Sequence, residues 1–340
     1  MNSNYLSRNN TDCLKGICAF MVVLCHVCAR TGIGAGVGLG PIITAFGYLG
    51  VSGFMFMSGF GLTISLLSSD KMGGGYLSKF LTHRVLPVYL LMFVLSMIYF
   101  ILKTILATVT PSLSELVQSF FFGGTVVSFG WYLQCIVLIY LIYYVAAHIA
   151  VKYYPKSVRR ILIIMVALGL LFFVGLCILL GLESTWYETI LSFLGGVFLA
   201  ANKKWFDYVW RVKRNVWLCL LLFVGFFGLS FIFGNGPFLS GAVKILIKML
   251  SSLAFCLCCL SVMRLISLEN PVTAFLGRRY LEIYILQGII YLLLRNRFWH
   301  IDSSWAFFFV SIALVLIGAY LIKPLTTSFM KSIKSHFNRI

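Results

Sequence analysis

ILIIMVALGLLFFVGLCILLGL, residues 161–182, is a run of 22 residues that contains no charged side chain. An α-helix of about 20 apolar residues is long enough to cross the hydrocarbon core of a bilayer. Arg159 and Arg160 stand just before the run, in one of the short basic segments that separate apolar runs in this chain. This stretch therefore predicts a transmembrane helix.

Similar apolar runs recur along the 340 residues, of which 61% are hydrophobic and only 11% are charged. Soluble domains carry about 25% charged residues, so this composition excludes a large soluble core. We expect an all-α, polytopic membrane protein of about ten transmembrane helices that forms a single membrane-embedded domain, residues 1–340. The predicted spans are roughly 13–31, 41–67, 85–106, 129–151, 161–182, 185–202, 216–234, 241–263, 273–294 and 303–322.

The net charge of +18 would suit a nucleic-acid partner, but the distribution of the charge argues against one. The basic residues cluster in short connections between apolar runs, which is how membrane topology is encoded. With the N-terminus in the cytoplasm, these residues fall in the even-numbered connections and the C-terminal tail. The exception is the ninth connection, with Arg295 and Arg297. The pattern predicts a multi-pass protein of the plasma membrane with both termini cytoplasmic.

The ten cysteines lie mostly within apolar runs, where they behave as small hydrophobic residues. The CHVC stretch (25–28) and the CLCC stretch (256–259) lack a second matching pair of ligands, so we expect no metal site. The outward connection at about 107–128 contains PSLSELVQSFFFGG (111–124), which predicts a short interfacial or re-entrant helix. The glycines between 32 and 40 do not predict a phosphate-binding loop, because no GK[ST] motif follows them. A flexible outer loop is the simpler interpretation.

Lys15 and His26 lie eleven positions apart in the first predicted span. At 100° per residue this separation is about 1100°, some 20° beyond three full turns, so both side chains project from one face. The rise between them is about 16 Å, which places Lys15 near the cytoplasmic boundary and His26 toward the outer half of the membrane. Asp12 falls near the same stripe. Ionisable residues at this depth usually face the bundle interior or a wet cavity.

A histidine can take up a proton near neutral pH, so His26 is a candidate general base. The alternative is a histidine that only hydrogen-bonds a neighbouring helix. Glu282 in the ninth span either pairs with a neighbouring arginine (Arg278 or Arg279) or orients His26. Gln287, five residues later, either binds a substrate or hydrogen-bonds a facing helix.

Two other cations, Lys248 and Arg84, each have a simple structural interpretation. Lys248 lies with Lys244 on the outer half of the eighth span, where it either pairs with Glu188 or extends toward water, or else binds an anionic substrate group. The first pair of interpretations is the simpler one. Arg84 opens the third span at the cytoplasmic side, and its simpler interpretation, like that of Lys15, is a basic anchor of the topology.

Five stretches follow one another along nearly the whole chain. They are Asp12–His26, with a basic residue, ten intervening residues and a histidine; GVSGFMFMSGFGL (50–62), with Ser58, Gly59 and Phe60; HRVLPVY (83–89), with Arg84, Pro87 and Tyr89; WYLQCIVLIYLIY from Trp131; and FLGRRYLEIYILQ (275–287). Together they resemble the acyltransferase-3 family of integral membrane acyltransferases. The chain departs from the family pattern at Lys15, where Arg is commoner, at Leu81, where many members have a second Arg, and at Gln287, where many have His.

The resemblance implies transfer of an acyl group, usually acetyl, from cytoplasmic acyl-CoA to a hydroxyl of a carbohydrate or related acceptor. On this basis Lys15 and Arg84 bind the phosphates of CoA, and the thioester arm reaches inward to His26. His26 deprotonates the acceptor or carries the acyl group covalently, and Glu282 orients His26. Trp131 stacks on the donor or on a sugar, or is simply a residue of the aromatic belt at the membrane interface.

The remaining candidates contact substrate or pack helices. Asp12, Gln287 and Lys248 are the predicted substrate contacts. Ser58 is either a nucleophile or, more simply, a helix-packing residue beside Gly59. The predicted partners are membrane lipid, acyl-CoA and a carbohydrate acceptor; a homo-oligomer, the acceptor's identity and the acyl group stay open.

Two functions of other classes compete with this one. A transporter of polysaccharide or lipid-linked sugar, without acyl transfer, would show internal symmetry, and no internal repeat is apparent. A non-enzymatic membrane sensor would tolerate loss of His26 and Arg84.

Overall fold

The computed structural model describes residues 5–34, 39–69, 74–121, 126–210, 213–233 and 240–337. Within these ranges the chain is helical, and its only β-type pairing is an isolated bridge between Arg295 and His300. The helices are α1 (Arg8–Thr31), α2 (Gly40–Leu67), α3 (Gly74–Ser78), α4 (Leu86–Leu106), α5 (Leu113–Phe120), α6 (Trp131–Tyr153), α7 (Val158–Leu179), α8 (Ile190–Ala201), α9 (Lys203–Val209), α10 (Lys213–Phe233), α11 (Gly241–Leu265), α12 (Pro271–Arg278), α13 (Tyr280–Leu294) and α14 (Ser304–Phe337).

Eight helical segments of the described chain are long and apolar enough to cross a membrane. They correspond to the first five predicted spans and to the seventh, eighth and tenth. The sixth and ninth predicted spans coincide with shorter helices, α8 with 12 residues and α13 with 15. These two are about 18 and 22 Å long, which is less than the ~30 Å of a hydrocarbon core. The prediction of an all-α, multi-pass membrane chain is confirmed, whereas the count of ten and the orientation stay predictions.

The ninth predicted span is split because its chain breaks at Arg279, whose φ of −127° and ψ of 13° are not helical. The preceding helix, α12, lies directly against the backbone of α1. A Cβ on Gly16 would collide with the backbone of Gly277, and a Cβ on Gly277 would stand 2.6 Å from the carbonyl oxygen of Asp12. Only glycine at both positions permits this approach, which brings α12 and the start of α13 next to Lys15.

Helix α1 lies at the centre of the bundle and packs on α2, α12, α13 and α14. At the periphery, α10 turns apolar side chains outward, among them Trp217, Leu221 and Ile232, as a lipid-facing helix does. The short helix predicted within 111–124 is present as α5, which begins at a capping box formed by Ser112 and Glu115. Residues 122–124 of that stretch, and residues 35–38 of the predicted glycine loop, lie outside the described residues.

Candidate active site

One face of α1 is turned toward α13. The Lys15 ammonium lies 5.3 Å from the ring centroid of Tyr280, the first residue of α13. Eleven residues further along α1, the Nδ1 atom of His26 lies 2.9 Å from Oε1 of Gln287, two turns into α13. The two helices therefore run parallel, and Lys15 and His26 project from one face of α1 as the sequence predicts.

The hydrogen bonds of Gln287 select the tautomer of His26. The amide Nε2 of Gln287 donates to the carbonyl of Tyr284 at 3.0 Å, so its Oε1 is turned toward the imidazole. An amide oxygen only accepts, and Nδ1 of His26 must therefore carry the proton. The other ring nitrogen, Nε2, keeps its lone pair. A neutral imidazole held in this way has the form that a general base needs.

Arg84 lies in a wide helical turn that precedes α4. Residues Leu81–Val85 form a π-helical turn, in which the N–H of Leu86 donates to the carbonyl of Leu81. Pro87 follows and has no N–H with which to continue the ordinary i to i−4 pattern. Single π-turns within helices are frequent at functional sites. Here the turn places Arg84 at the rim of a cavity.

A cavity of about 310 Å³ brings Lys15 and Arg84 together. Its volume is that of a small-molecule site, which is typically about 300–1,000 Å³. It lies between α1, α2, α4, α6, α13 and α14, and most of its wall is apolar. The polar groups that line it are Lys15, Ser58, Ser65, Arg84, Tyr132, Tyr140, Tyr280 and Tyr284.

A second cavity of about 320 Å³ adjoins the first through Arg84. It is lined by residues of α3 and of the turn that follows, among them Lys79 and His83. The two cavities together offer Lys15, Lys79 and Arg84 at one end of the bundle. We call them the inner cavity, which contains Lys15, and the mouth, which contains Lys79.

The far end of the inner cavity approaches His26 through aromatic residues. The rings of Tyr132 and Tyr284, which both line the cavity, are 5.5 Å apart. The hydroxyl of Tyr284 donates to the carbonyl of Phe129 at 2.7 Å, and the ring of Phe129 stacks on His26 at 3.7 Å. Phe129 has a φ of +64°, which is uncommon for a bulky residue. His26 itself does not line the cavity; it is half-buried and contacts Phe129 and Gln287.

The partner of Glu282 differs from the predicted one. Its buried carboxylate accepts hydrogen bonds from Thr326 and from Lys323, whose Nζ lies 3.2 Å away on α14. Glu282 and Gln287 are five residues apart, which is about 140° around a helix, so they point in different directions. The expectation that Glu282 orients His26 is therefore corrected: Gln287 makes that contact.

Two other predicted site residues, Asp12 and Lys248, form ion pairs within the protein. Asp12 forms an ion pair with Lys15 at 2.9 Å. Lys248 pairs with the buried Glu188 at 3.1 Å, as the simpler interpretation has it.

Trp131 packs with Trp186, their ring centroids 6.5 Å apart, and its neighbour Tyr132 is the residue that lines the cavity. A donor contact for Trp131, like substrate contacts for Asp12 and Lys248, stays a prediction.

Ser58 lines the inner cavity, whereas its neighbour Gly59 packs two helices together. The hydroxyl of Ser58 accepts a hydrogen bond from Tyr140 at 3.3 Å and faces the inner cavity. A Cβ on Gly59 would collide with the carbonyl oxygen of Phe193, so Gly59 packs α2 on α8.

Sequence reasoning did not identify the tyrosines of the cavity (Tyr132, Tyr140, Tyr280 and Tyr284) or Phe129. Their only signal in the sequence is aromatic character, which is equally typical of residues at a membrane interface. Within the described residues no three His, Cys, Asp or Glu side chains are grouped as metal ligands.

A family model described as an acyltransferase domain matches residues 8–323, from the start of α1 to the middle of α14. The match includes every residue of the inner cavity except Met330, together with the mouth, His26 and Gln287. Searches of curated proteins and of solved structures each gave no match.

Proposed function

Because this chain belongs to the acyltransferase-3 family, we propose that it is a membrane O-acyltransferase with acyl-CoA as donor. The acyl group, acetyl in this proposal, passes from the cytoplasmic side to a hydroxyl of a cell-surface carbohydrate or of its precursor. The membrane is the plasma membrane, with the mouth of the cavity on the cytoplasmic face. The orientation follows the basic connections of the sequence.

The observation that carries the proposal is the shared cavity of Lys15 and Arg84. These two cations come from different helical segments and line one cavity, whose remaining wall is mainly apolar and aromatic. Coenzyme A combines phosphates with a long, weakly polar arm that ends in the thioester. Lys79 and Arg84 at the mouth suit the phosphates, because cations form charge-assisted hydrogen bonds with phosphate oxygens. The inner cavity suits the arm.

His26 is the proposed general base. Its Nε2 takes the proton from the acceptor hydroxyl while the hydroxyl oxygen attacks the thioester carbonyl. The tetrahedral intermediate then breaks its C–S bond, and the proton passes to the sulfur of the leaving CoA. Gln287 holds the imidazole in the required tautomer throughout. Because Phe129 lies between the imidazole and Tyr284, it must shift for the thioester to reach His26.

The test separates donor binding from chemistry in purified protein. Arg84→Gln should raise the Kd of acetyl-CoA by about 10–100-fold, since one charge-assisted contact is lost. His26→Ala should leave that Kd unchanged and lower the rate of acetyl transfer by about 10²–10⁴-fold. Titration calorimetry gives the first quantity, and transfer of labelled acetyl groups to extracted surface glycan gives the second.

The matched control is Arg278→Gln, which removes an exposed cation at the same end of the bundle from outside both cavities. It should change neither quantity. Full acetyl transfer by His26→Ala would remove the general base from the proposal. Equal weakening of acetyl-CoA binding by Arg84→Gln and Arg278→Gln would remove the donor site.

A further inference from the structure

Two more grooves open at the end of the bundle that holds the mouth, and neither belongs to the mouth or to the inner cavity. One has a volume of about 560 Å³ and lies where the ends of α2 and α6 meet the start of α7. The other, of about 420 Å³, lies where the end of α2 meets α8 and α9. Leu67 and Arg159 line both. We call the two together the paired groove.

The paired groove is strongly basic. Its first part contains Lys156, Arg159 and Arg160, and its second part adds Lys203 and Lys204. Lys203 is bound to Asp207 at 2.7 Å. The other four cations form no ion pair with any acid of the described chain, and three of them border the first part. Like charges held this close repel each other, so the cluster favours an anion between them.

The start of α7 adds to the positive potential. The side chain of Ser157, at its N-cap, accepts no hydrogen bond from the first turn, so the leading N–H groups of the helix have no side-chain cap. These groups and the helix dipole attract anions at an N-terminus. Val158, the first residue of α7, lines the groove together with Arg159 and Arg160.

Exposed aromatic residues place the groove at the level of lipid headgroups. Trp205 lines the second part, and Tyr153, Tyr154 and Tyr208 lie within three residues of lining residues along the chain. All four are about half exposed or more, and such residues gather at membrane–water interfaces. From the groove, α7 runs away with an exposed apolar face that includes Ile164, Leu168 and Leu171. These are spaced by four and three residues, so they form one continuous stripe along which acyl chains can lie.

We propose that the paired groove binds an anionic phospholipid that carries two phosphates, of the diphosphatidylglycerol type. Each part of the groove has room and cations for one phosphate, and Arg159 borders both. Arginine suits this bridging position because its planar guanidinium presents several donors to phosphate oxygens at once. Basic pockets between membrane helices are recognised sites for such headgroups. Free CoA offers phosphates too, but it has no acyl chains to cover the stripe on α7.

The experiment measures lipid binding and needs no acyl transfer, so its outcome is independent of the proposed function. Lipid-depleted protein in detergent is titrated with diphosphatidylglycerol, phosphatidylglycerol, phosphatidylcholine and CoA, and bound lipid is counted by native mass spectrometry. We expect the affinity to be highest for diphosphatidylglycerol, lower for phosphatidylglycerol and lowest for phosphatidylcholine. Each charge removed from the groove should weaken binding of diphosphatidylglycerol about fivefold.

The variants are Arg159→Gln, Lys204→Gln and the double change Arg159→Gln with Arg160→Gln. All three positions are exposed, so the fold should tolerate them, and the single changes serve if the double variant is unstable. Arg278→Gln is the matched control and should bind diphosphatidylglycerol as the unchanged chain does. The proposal is overturned if the control weakens binding as much as Arg159→Gln does. It is also overturned if CoA displaces the lipid with the same sensitivity to Arg159→Gln, or if phosphatidylcholine binds equally well.

Discussion

At the scale of one residue, Gln287 decides what His26 can do. It accepts from Nδ1 of the imidazole while its own amide donates to Tyr284. Gln287→Leu removes the acceptor and leaves a ring N–H without a partner, at a cost of about 1–3 kcal/mol. We expect the kcat of acyl transfer to fall roughly tenfold or more, because the tautomer is no longer fixed, with the KM for acetyl-CoA unchanged.

The control for this prediction is Gln134→Leu on α6, another fully buried glutamine, whose amide donates to the carbonyl of Ser119 at 3.3 Å. It should lower thermal stability and leave the kcat per folded molecule nearly unchanged. Equal loss of kcat in both variants would show that Gln287 supports the fold and has no special relation to His26.

The sequence predicts the stripe of Lys15 and His26 because helical periodicity is a local property of the chain. It does not predict the partner of His26, because Glu282 and Gln287 lie in the same short helix and only the packing of α13 on α1 and α14 separates them. Hydropathy marks both as polar residues in an apolar run. The partner of Glu282 is Lys323 of α14, which stands 41 residues further along the chain.

At the scale of elements, Asp207 of α9 ties three parts of the chain together. It accepts from Tyr5 at 2.9 Å, from Lys203 at 2.7 Å and from Arg264 of α11 at 3.1 Å. Burial raises the pKa of Asp207, but the hydrogen bonds from Lys203 and Tyr5 and the charges of Lys203 and Arg264 outweigh it. The pKa therefore lies below its ordinary value.

A depressed carboxyl pKa stabilises the fold above the unfolded pKa of about 3.9, and this stabilisation is lost as the pH falls through the folded value. We expect the unchanged chain to lose more thermal stability below about pH 4 than Asp207→Asn does, as followed by melting in detergent. At pH 7 the variant should be the less stable protein. Parallel pH curves for the two would show that Asp207 contributes nothing through its charge.

The contact between α2 and α8 depends on glycine. A Cβ on Gly196 would collide with the carbonyl oxygen of Phe56, whereas a Cβ on Gly225 of α10 meets no atom within 4 Å. We expect Gly196→Ala to destabilise the protein by about 1–3 kcal/mol, since the helices must move apart. Gly225→Ala should be neutral or stabilise α10 by about 0.5–1 kcal/mol. Melting temperatures of the two variants test both; a tolerated Gly196→Ala would mean that α2 and α8 can separate without cost.

At the scale of the whole molecule, hydropathy predicts the eight long helices because each is a continuous apolar run. It overestimates α8 and α13, because composition does not reveal a backbone break such as the one at Arg279. The inner cavity could not be predicted either. It depends on six helices and on the π-turn at Arg84, and no local pattern encodes their relative positions.

The orientation of the bundle is open to a direct test, because all ten native cysteines are buried or half-buried. Thr110, in the connection after α4, and Ser335, near the end of α14, are exposed and lie on opposite sides of the predicted topology. In intact cells a membrane-impermeant maleimide should label Thr110→Cys and should label Ser335→Cys only after permeabilisation. The reason is that the basic connections, which hold most of the charge of +18, stay on the cytoplasmic side. The reverse labelling would place the mouth of the cavity, with Lys79 and Arg84, outside the cell. Cytoplasmic acyl-CoA would then have no route to it.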